Sequence, residues 1–475
     1  MAFTGQDHKI PAAGATWPLA VLIAIVISAL PLSASPAQAQ QSWAATPESS
    51  SADQLDSLWP RLSPKQQFTA LEQLLHAGQF ATAGRVLAAS HYDFPGDRAI
   101  ARFYSGIVAR GDGREREAVA IFREVLAEHP EFTRVRLELA QTLFAINEDD
   151  SARHNFELVL GGAAANPGLQ NTVRSYINAI DGRKHWDLTT FLTIAPSTNI
   201  NQGSTAAPVL INGVPFTPDN VEKSGVGVYS GFQAGYRLPI GEGLDMVLAA
   251  GAQGKRYHER ALNDTLVNAS IGPKWRFDRG SLGLYATIDH RWSDDANYAT
   301  TYGGLLSGSY AVTAADSISA DLGYSLRRFD TDWHGADLSY QDGRVLSASG
   351  RFEHHFDSSS YLRVLGNVAQ ERTGFARLDS DSFGGGAGIY KEFPWGFSLY
   401  LQGMHTKSFF QGDYPVFGIP RADQRTDVSV HITKRDFEIF GFAPMLQYTY
   451  THNDSNIPLT VYDAQGVALT LTNQF

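Results

Sequence analysis

The chain has 475 residues, 38 Lys plus Arg against 49 Asp plus Glu, a formal net charge of −11 and no cysteine. The acidic balance argues against nucleic acid as the main partner, and the missing thiols exclude a disulfide framework, a thiolate metal site and lipidation at cysteine. Mean hydropathy is −0.20, which excludes a bundle of membrane helices but not a membrane barrel, whose alternating strands average out.

At the N-terminus, Lys9 precedes an apolar run from Trp17 to Leu32, and Ala37-Gln38-Ala39 supplies the small residues a signal peptidase reads. Residues 1–39 therefore read as a cleaved secretory signal peptide. The run is short for a membrane span and is interrupted by Pro18 and Pro31. Residues 40–57 are rich in Ser, Ala and Gln and read as a flexible lead-in.

From residue 58 to 185 the apolar period is near 3.6, and the pattern repeats. Ala118, Phe122 and Val125 return 34 residues later as Ala152, Phe156 and Val159, and Gly106 returns as Ala140. One unit earlier, Ala83 and Leu87 precede Ala118 and Phe122 by 35, and Pro95 precedes Pro130 by 35. Small residues at helix crossings, a large apolar residue one turn on and a closing proline resemble tetratricopeptide repeats. Three units run from about Ser63 to Leu160, the third without its proline, and a helix over 169–180 caps them. Such helix pairs stack and leave a concave groove. The groove binds an extended or partly folded protein, or else the array is a spacer.

Residues 186–475 alternate with a period of two. Short turns are expected at 239–242, 278–280, 314–316, 356–359, 394–396 and 434–436. Longer connections are expected at 202–222, 257–263, 293–298, 330–338, 373–381, 409–423 and 452–458. Thirteen connections join 14 strands, with short turns at one end and long loops at the other, the asymmetry of an outer-membrane barrel. Leu282, Leu284, Ala286 and Ile288 alternate with Gly283, Tyr285, Thr287, Asp289 and Arg291. Charges on a lipid-facing wall cost about 2–4 kcal/mol each near the midplane. Lys274, Arg276, Asp289, Arg291, Asp321, Arg327, Arg363 and Glu371 are therefore expected to face the lumen. Trp275, Trp292, Trp395, Phe397, Tyr448 and Tyr450 suit interfacial girdles. In the last stretch Val467, Leu469 and Leu471 alternate with Ala468, Thr470 and Thr472 before Phe475. This resembles the C-terminal signal of outer-membrane barrels.

No enzyme motif stands out. There is no Gly-x-Ser-x-Gly elbow, no His-Glu-x-x-His and no phosphate loop. His354 and His355 are adjacent and so point to opposite faces of a strand. Gly384-Gly385-Gly386 starts a strand and is expected to make room for a neighbouring side chain or a bend, with a gating role as the alternative. In Ile194-Ala195-Pro196-Ser197-Thr198-Asn199-Ile200-Asn201, Pro196 removes a ladder donor, and Asn199 and Asn201 can bond locally to the backbone.

A signal peptide, a short tetratricopeptide array and a barrel whose first strand ends in Ala-Pro-Ser-x-Asn-Ile-Asn together resemble the surface lipoprotein assembly modulator (Slam) family, outer-membrane translocators of type 11 secretion. The resemblance covers essentially the whole mature chain. It implies an α+β multidomain chain, an N-terminal tetratricopeptide-like α-solenoid followed by a 14-stranded antiparallel transmembrane β-barrel, in the Gram-negative outer membrane with the repeats in the periplasm. No catalytic residues carry over from it, and no enzyme activity, cofactor or metal is expected. The expected partners are a client surface lipoprotein or secreted protein, a periplasmic chaperone, the barrel assembly machinery and outer-membrane lipid. Pro196, Asn199 and Asn201 match the family motif without an assigned role. An exopolysaccharide-export porin is the alternative, and it calls for a lumen lined with one sign of charge or with aromatics.

Overall fold

The computed structural model describes residues 55–162, 166–205, 208–211, 214–216, 220–294, 296–330, 336–437 and 442–472. The expected signal peptide, most of the lead-in, Asp295 and Phe475 lie outside the described residues. Among the described residues, seven α-helices precede the barrel: α1 (Pro64–His76), α2 (Phe80–Ala88), α3 (Pro95–Gly111), α4 (Glu115–Glu128), α5 (Thr133–Ala145), α6 (Asp149–Gly162) and α7 (Pro167–Arg183). α1 starts on a capping box, in which the Gln66 side chain returns to the Ser63 backbone N–H at 3.0 Å. Pro64 fills the first helical position, where no donor is missed. α7 is capped by Asn166, whose Oδ1 accepts from Leu169 N at 3.1 Å. This helix runs to Arg183, three residues past the expected cap helix.

The chain divides into two compact units, one ending at Val125 and one beginning at Leu126. In the first, Leu71, Leu74, Ala83, Val86, Ala118 and Phe122 are buried. Gly106 lies against the Phe122 ring, and a Cβ there would stand 2.5 Å from Cε1, so here the ring occupies the space that a Cβ takes at Ala140 in the next repeat. In the second unit the equivalent interior is Leu139, Ala140, Leu143, Ala152, Phe156 and Val159, all buried.

The sheet of the second unit is a closed antiparallel barrel of 14 strands. They are β1 (Trp186–Ser197), β2 (Gly225–Gly241), β3 (Leu244–Arg256), β4 (Asp264–Phe277), β5 (Gly280–Ser293), β6 (Ala296–Ala311), β7 (Asp316–Phe329), β8 (Gly343–Asp357), β9 (Ser360–Thr373), β10 (Ser380–Phe393), β11 (Phe397–Tyr414), β12 (Ile419–Lys434), β13 (Ala443–Ser455) and β14 (Tyr462–Thr472). Each strand pairs with its sequence neighbours, and β1 closes on β14. A short hairpin, Val209–Ile211 with Val214–Phe216, decorates the loop after β1. The barrel has no apolar core. Leu282, Leu284, Ile288, Leu322, Val364 and Leu401 are exposed on its outer wall, as membrane immersion demands. Trp275, Phe277, Phe356, Phe393, Trp395 and Phe397, at one end of their strands, are exposed beside them.

Two of the expected long loops are instead tight hairpin ends. At 293–298 the strands run on to Ser293 and Ala296, and Asp294 turns the chain at φ 49°. At 409–423, β11 continues to Tyr414 and β12 starts at Ile419, with positive φ at Val416 and Gly418. Polarity made both stretches read as loop. Here polar side chains simply ride on strands, with Arg421 Nε holding Asp423 at 2.8 Å. The last connection expected to be short, 434–436, extends through 435–442.

Candidate functional site: the barrel interior and its helix-capped mouth

Strand alternation turns one side chain in two into the barrel, where the charges neutralise one another. Lys274, Arg276 and Arg363 line a cavity of about 1160 Å³ at the helix end. Asp289, Arg291 and Arg327 line a second cavity of about 660 Å³ farther from the helices. Arg327 donates to Glu371 at 3.0 Å, and Asp321 accepts from Ser349 Oγ at 3.4 Å. Their partners include residues that alternation identifies but the sequence analysis did not single out. Arg276 pairs with fully buried Asp245 at 2.7 Å, Arg291 with Asp264 at 2.5 Å and Arg363 with Glu353 at 2.6 Å. Tyr400 donates to Gln402 at 2.6 Å and accepts from Arg363 at 3.3 Å. The result is a wall that is polar and close to charge-balanced.

At the helix end, the interior is lined by this chain's own helices. Arg153, His154 and Glu157 of α6 and Arg174, Asn178 and Asp181 of α7 line the larger cavity together with strand residues. The anchor is Glu392, at the end of β10 and 1% exposed. Its Oε2 receives Arg136 Nη2 of α5 at 2.5 Å and lies 3.0 Å from Arg435 Nη1 of the turn after β12. Tyr390 donates to Oε1 at 3.0 Å. Arg136 also bonds Asn155 Oδ1 at 3.2 Å and Pro130 O at 2.9 Å. A carboxylate removed from water is tolerated only when it is paired this completely. Beside the cluster, His154 Nε2 is buried without a hydrogen bond. Burial pushes the His154 pKa down to about 4, against the pull of Glu392, so the ring is neutral near pH 7. Gly161 lies where a Cβ would overlap the His355 side chain, and Thr133 Oγ1 meets Ser358 Oγ at 3.1 Å. At the edge of the mouth, Arg237 of β2 reaches Asp181 at 3.5 Å.

His354 and His355 diverge: His354 bonds Asp316 at 2.7 Å and His355 bonds Glu353 at 3.1 Å. Gly384 leaves space occupied by Asn367 and Thr406.

The Asn-Ile-Asn stretch sits at the opposite end of the barrel, where β1 meets β14. Asn199 is 3% exposed. Its Nδ2 donates to Gly203 O and to Asp463 O of β14, both at 2.9 Å, and its Oδ1 accepts from Gly203 N at 2.9 Å. Asn201 Nδ2 donates to Val221 O at 2.7 Å, and its Oδ1 accepts from Lys223 N at 2.8 Å. Pro196 lies one residue before the last β1–β14 pairing, Ser197 with Gly466, and has no N–H to give the ladder. Asn199 thus fastens the loop after β1 to the closing strand, a role beyond the local turn expected of it, while Asn201 ties the start of that loop to its far end before β2.

A family model described as "Surface lipoprotein assembly modifier" matches residues 186–475. A second, "Surface lipoprotein assembly modifier, N-terminal TPR repeats", matches residues 63–156. The surface lipoprotein assembly modifier of Pasteurella multocida is 22% identical over 400 residues, covering 80% of this chain and 77% of its own. The hemophilin secretion modulator of Acinetobacter baumannii is 25% identical over 406 residues, 80% of this chain and 79% of its own. Among solved structures, OprB of Pseudomonas putida aligns with a TM-score of 0.36 at 10% identity, over 62% of this chain and 95% of that one.

Proposed function

This chain belongs to the surface lipoprotein assembly modifier family, and we propose that it moves a client protein from the periplasm through its barrel to the cell surface. The observation that carries the reading is the placement of α6 and α7 along the large polar cavity at the barrel mouth. A client held at α6 and α7 is thereby delivered at the entrance of the barrel, residues 186–475. The charge-balanced wall offers a hydrated path with no strong preference for either sign. That favours a polypeptide of mixed charge over a charged polysaccharide, which is best served by one sign of charge. The relative named for hemophilin secretion extends the client class from surface lipoproteins to secreted proteins. The repeats work in the periplasm with a chaperone that keeps the client unfolded, and the barrel reaches the outer membrane through the barrel assembly machinery. No covalent step is required, and client folding outside supplies the direction.

In this reading α5–α7 must shift for a client to pass, and Arg136–Glu392–Arg435 is the contact that holds them. Pro196, Asn199 and Asn201 keep the far end of the barrel closed at the β1–β14 junction, while the eight charged positions from Lys274 to Glu371 line the path. The test is protease shaving of intact cells that co-express a candidate lipoprotein or secreted protein, with and without this chain. Client at the surface or in the medium only when the chain is present supports the proposal. Unchanged client location together with lost polysaccharide export sinks it.

A further inference from the structure

On the outer wall of the barrel, at the end away from the helices, three arginines stand on adjacent strands. Arg344 of β8 is directly opposite Arg372 of β9. Its partner on the other side is Leu326 of β7, which places Arg328 diagonally beside it. Strand alternation puts all three on the same face as Leu326 and Leu346, the lipid side. Like charges directly opposite each other are destabilising. Two of the three are answered: Arg372 holds both oxygens of Asp381 at 2.8 and 2.9 Å, and Arg328 meets Asp342 at 3.1 Å. Arg344 is exposed and has no hydrogen bond or ion pair among the described residues. One positive charge is therefore held uncompensated between two others.

Directly along the same wall, toward the membrane interior, runs a shallow apolar groove of about 280 Å³, lined by Leu322, Leu346, Val368 and Phe383. Phe383 stacks on Phe409 at 5.9 Å, which stiffens one bank. An anion site at the head of an acyl-sized groove fits an amphiphile with phosphate on its headgroup. In an outer-membrane barrel this end faces the leaflet built from phosphorylated glycolipid. We propose that Arg344, with exposed Arg328, binds a phosphate of a lipid A-type glycolipid while one acyl chain lies in the Leu322–Leu346–Val368–Phe383 groove. A guanidinium offers the forked donors that a phosphate accepts. The occupant also answers the like-charge pairing that the protein leaves open.

The experiment uses the full chain in dodecyl maltoside and fluorescent bisphosphoryl lipid A as the probe. The expected result is saturable binding, weakened at least tenfold when the competitor-free probe is replaced by its fully dephosphorylated form. Arg344→Ala combined with Arg328→Ala weakens binding at least tenfold, and Arg344→Lys, which keeps the charge, weakens it less than threefold. Heat-modifiable gel mobility establishes that each variant is folded. If the double variant does not fold, comparison of phosphorylated and dephosphorylated lipid on the unmodified chain still decides. Equal binding of the two lipids overturns the proposal, as does unchanged binding by the folded double variant. Equal competition by a phosphate-free triacylated lipopeptide also overturns it and assigns the groove to a lipoprotein anchor.

Discussion

The repeats up to Val125 and the helices from α5 onward bury the same kinds of side chain, each within its own unit, but differ in their outer faces. Ala118, Phe122 and Val125 are as buried as Ala152, Phe156 and Val159. Outside the buried set of the first unit, Arg102 and Glu124 form an ion pair in water, with side chains 60% and 53% exposed. Arg136 and Glu392 form theirs at 3% and 0%. The recurring pattern therefore encodes how helices stack, while the intervening polar residues decide whether a repeat stays solvated or docks on a barrel. Exposed pairs contribute little, whereas a broken buried pair strands a charge.

The comparison is broken most severely at Glu392. Glu392→Ala leaves Arg136 and Arg435 facing each other without a carboxylate, and docking of α5–α6 should weaken by about 5 kcal/mol. Hydrogen exchange over Thr133–Gly162 should accelerate while the barrel keeps its heat-modifiable mobility; unchanged exchange would remove Glu392 as the anchor. Next come the two equivalent phenylalanines. Phe122→Ala and Phe156→Ala should each cost about 4 kcal/mol, as large cavities in closed interiors do. Only the second should loosen the helices at the barrel mouth, a distinction that limited proteolysis of the two variants resolves.

A smaller effect separates the regions by pH. Burial depresses the His154 pKa to about 4, so the docked state binds fewer protons than the undocked one between about 4 and 6.5. Stability is fully present above about pH 6.5 and falls as pH drops toward 4. From pH 7 to pH 5 the loss should be about 2 kcal/mol. His154→Phe should flatten this dependence in exchange measurements at the two pH values, and an unaltered slope would assign it to another group. Asn199→Ala should cost about 1–2 kcal/mol, since it leaves Asp463 O and Gly203 N without their partner. Faster proteolysis confined to the loop after β1 is the expected sign. Arg114→Ala, which removes an exposed pair with Glu117, should leave the melting temperature unchanged.

The barrel was legible because a strand between lipid and water must alternate. The apolar set containing Leu282 and the polar set containing Asp289 appear in the sequence as they appear on the two sides of the wall. Strand number followed from the turns even where a hairpin such as 409–423 was mistaken for a loop. The cap at the mouth was not legible. Arg136 reads as one more helix arginine, and its carboxylate lies 256 residues away.

Local order thus comes from periodicity, since the spacing of apolar side chains selects helix or strand and the face each one buries. It is enough to specify stacked helices followed by a barrel, and to give the wall its inside and outside. The contacts of Arg136 with Glu392 and of Asn199 with Asp463 depend on docking and closure. They join residues that no local spacing relates: helices packed on the barrel bring the first pair together, and pairing of the first strand with the last brings the second.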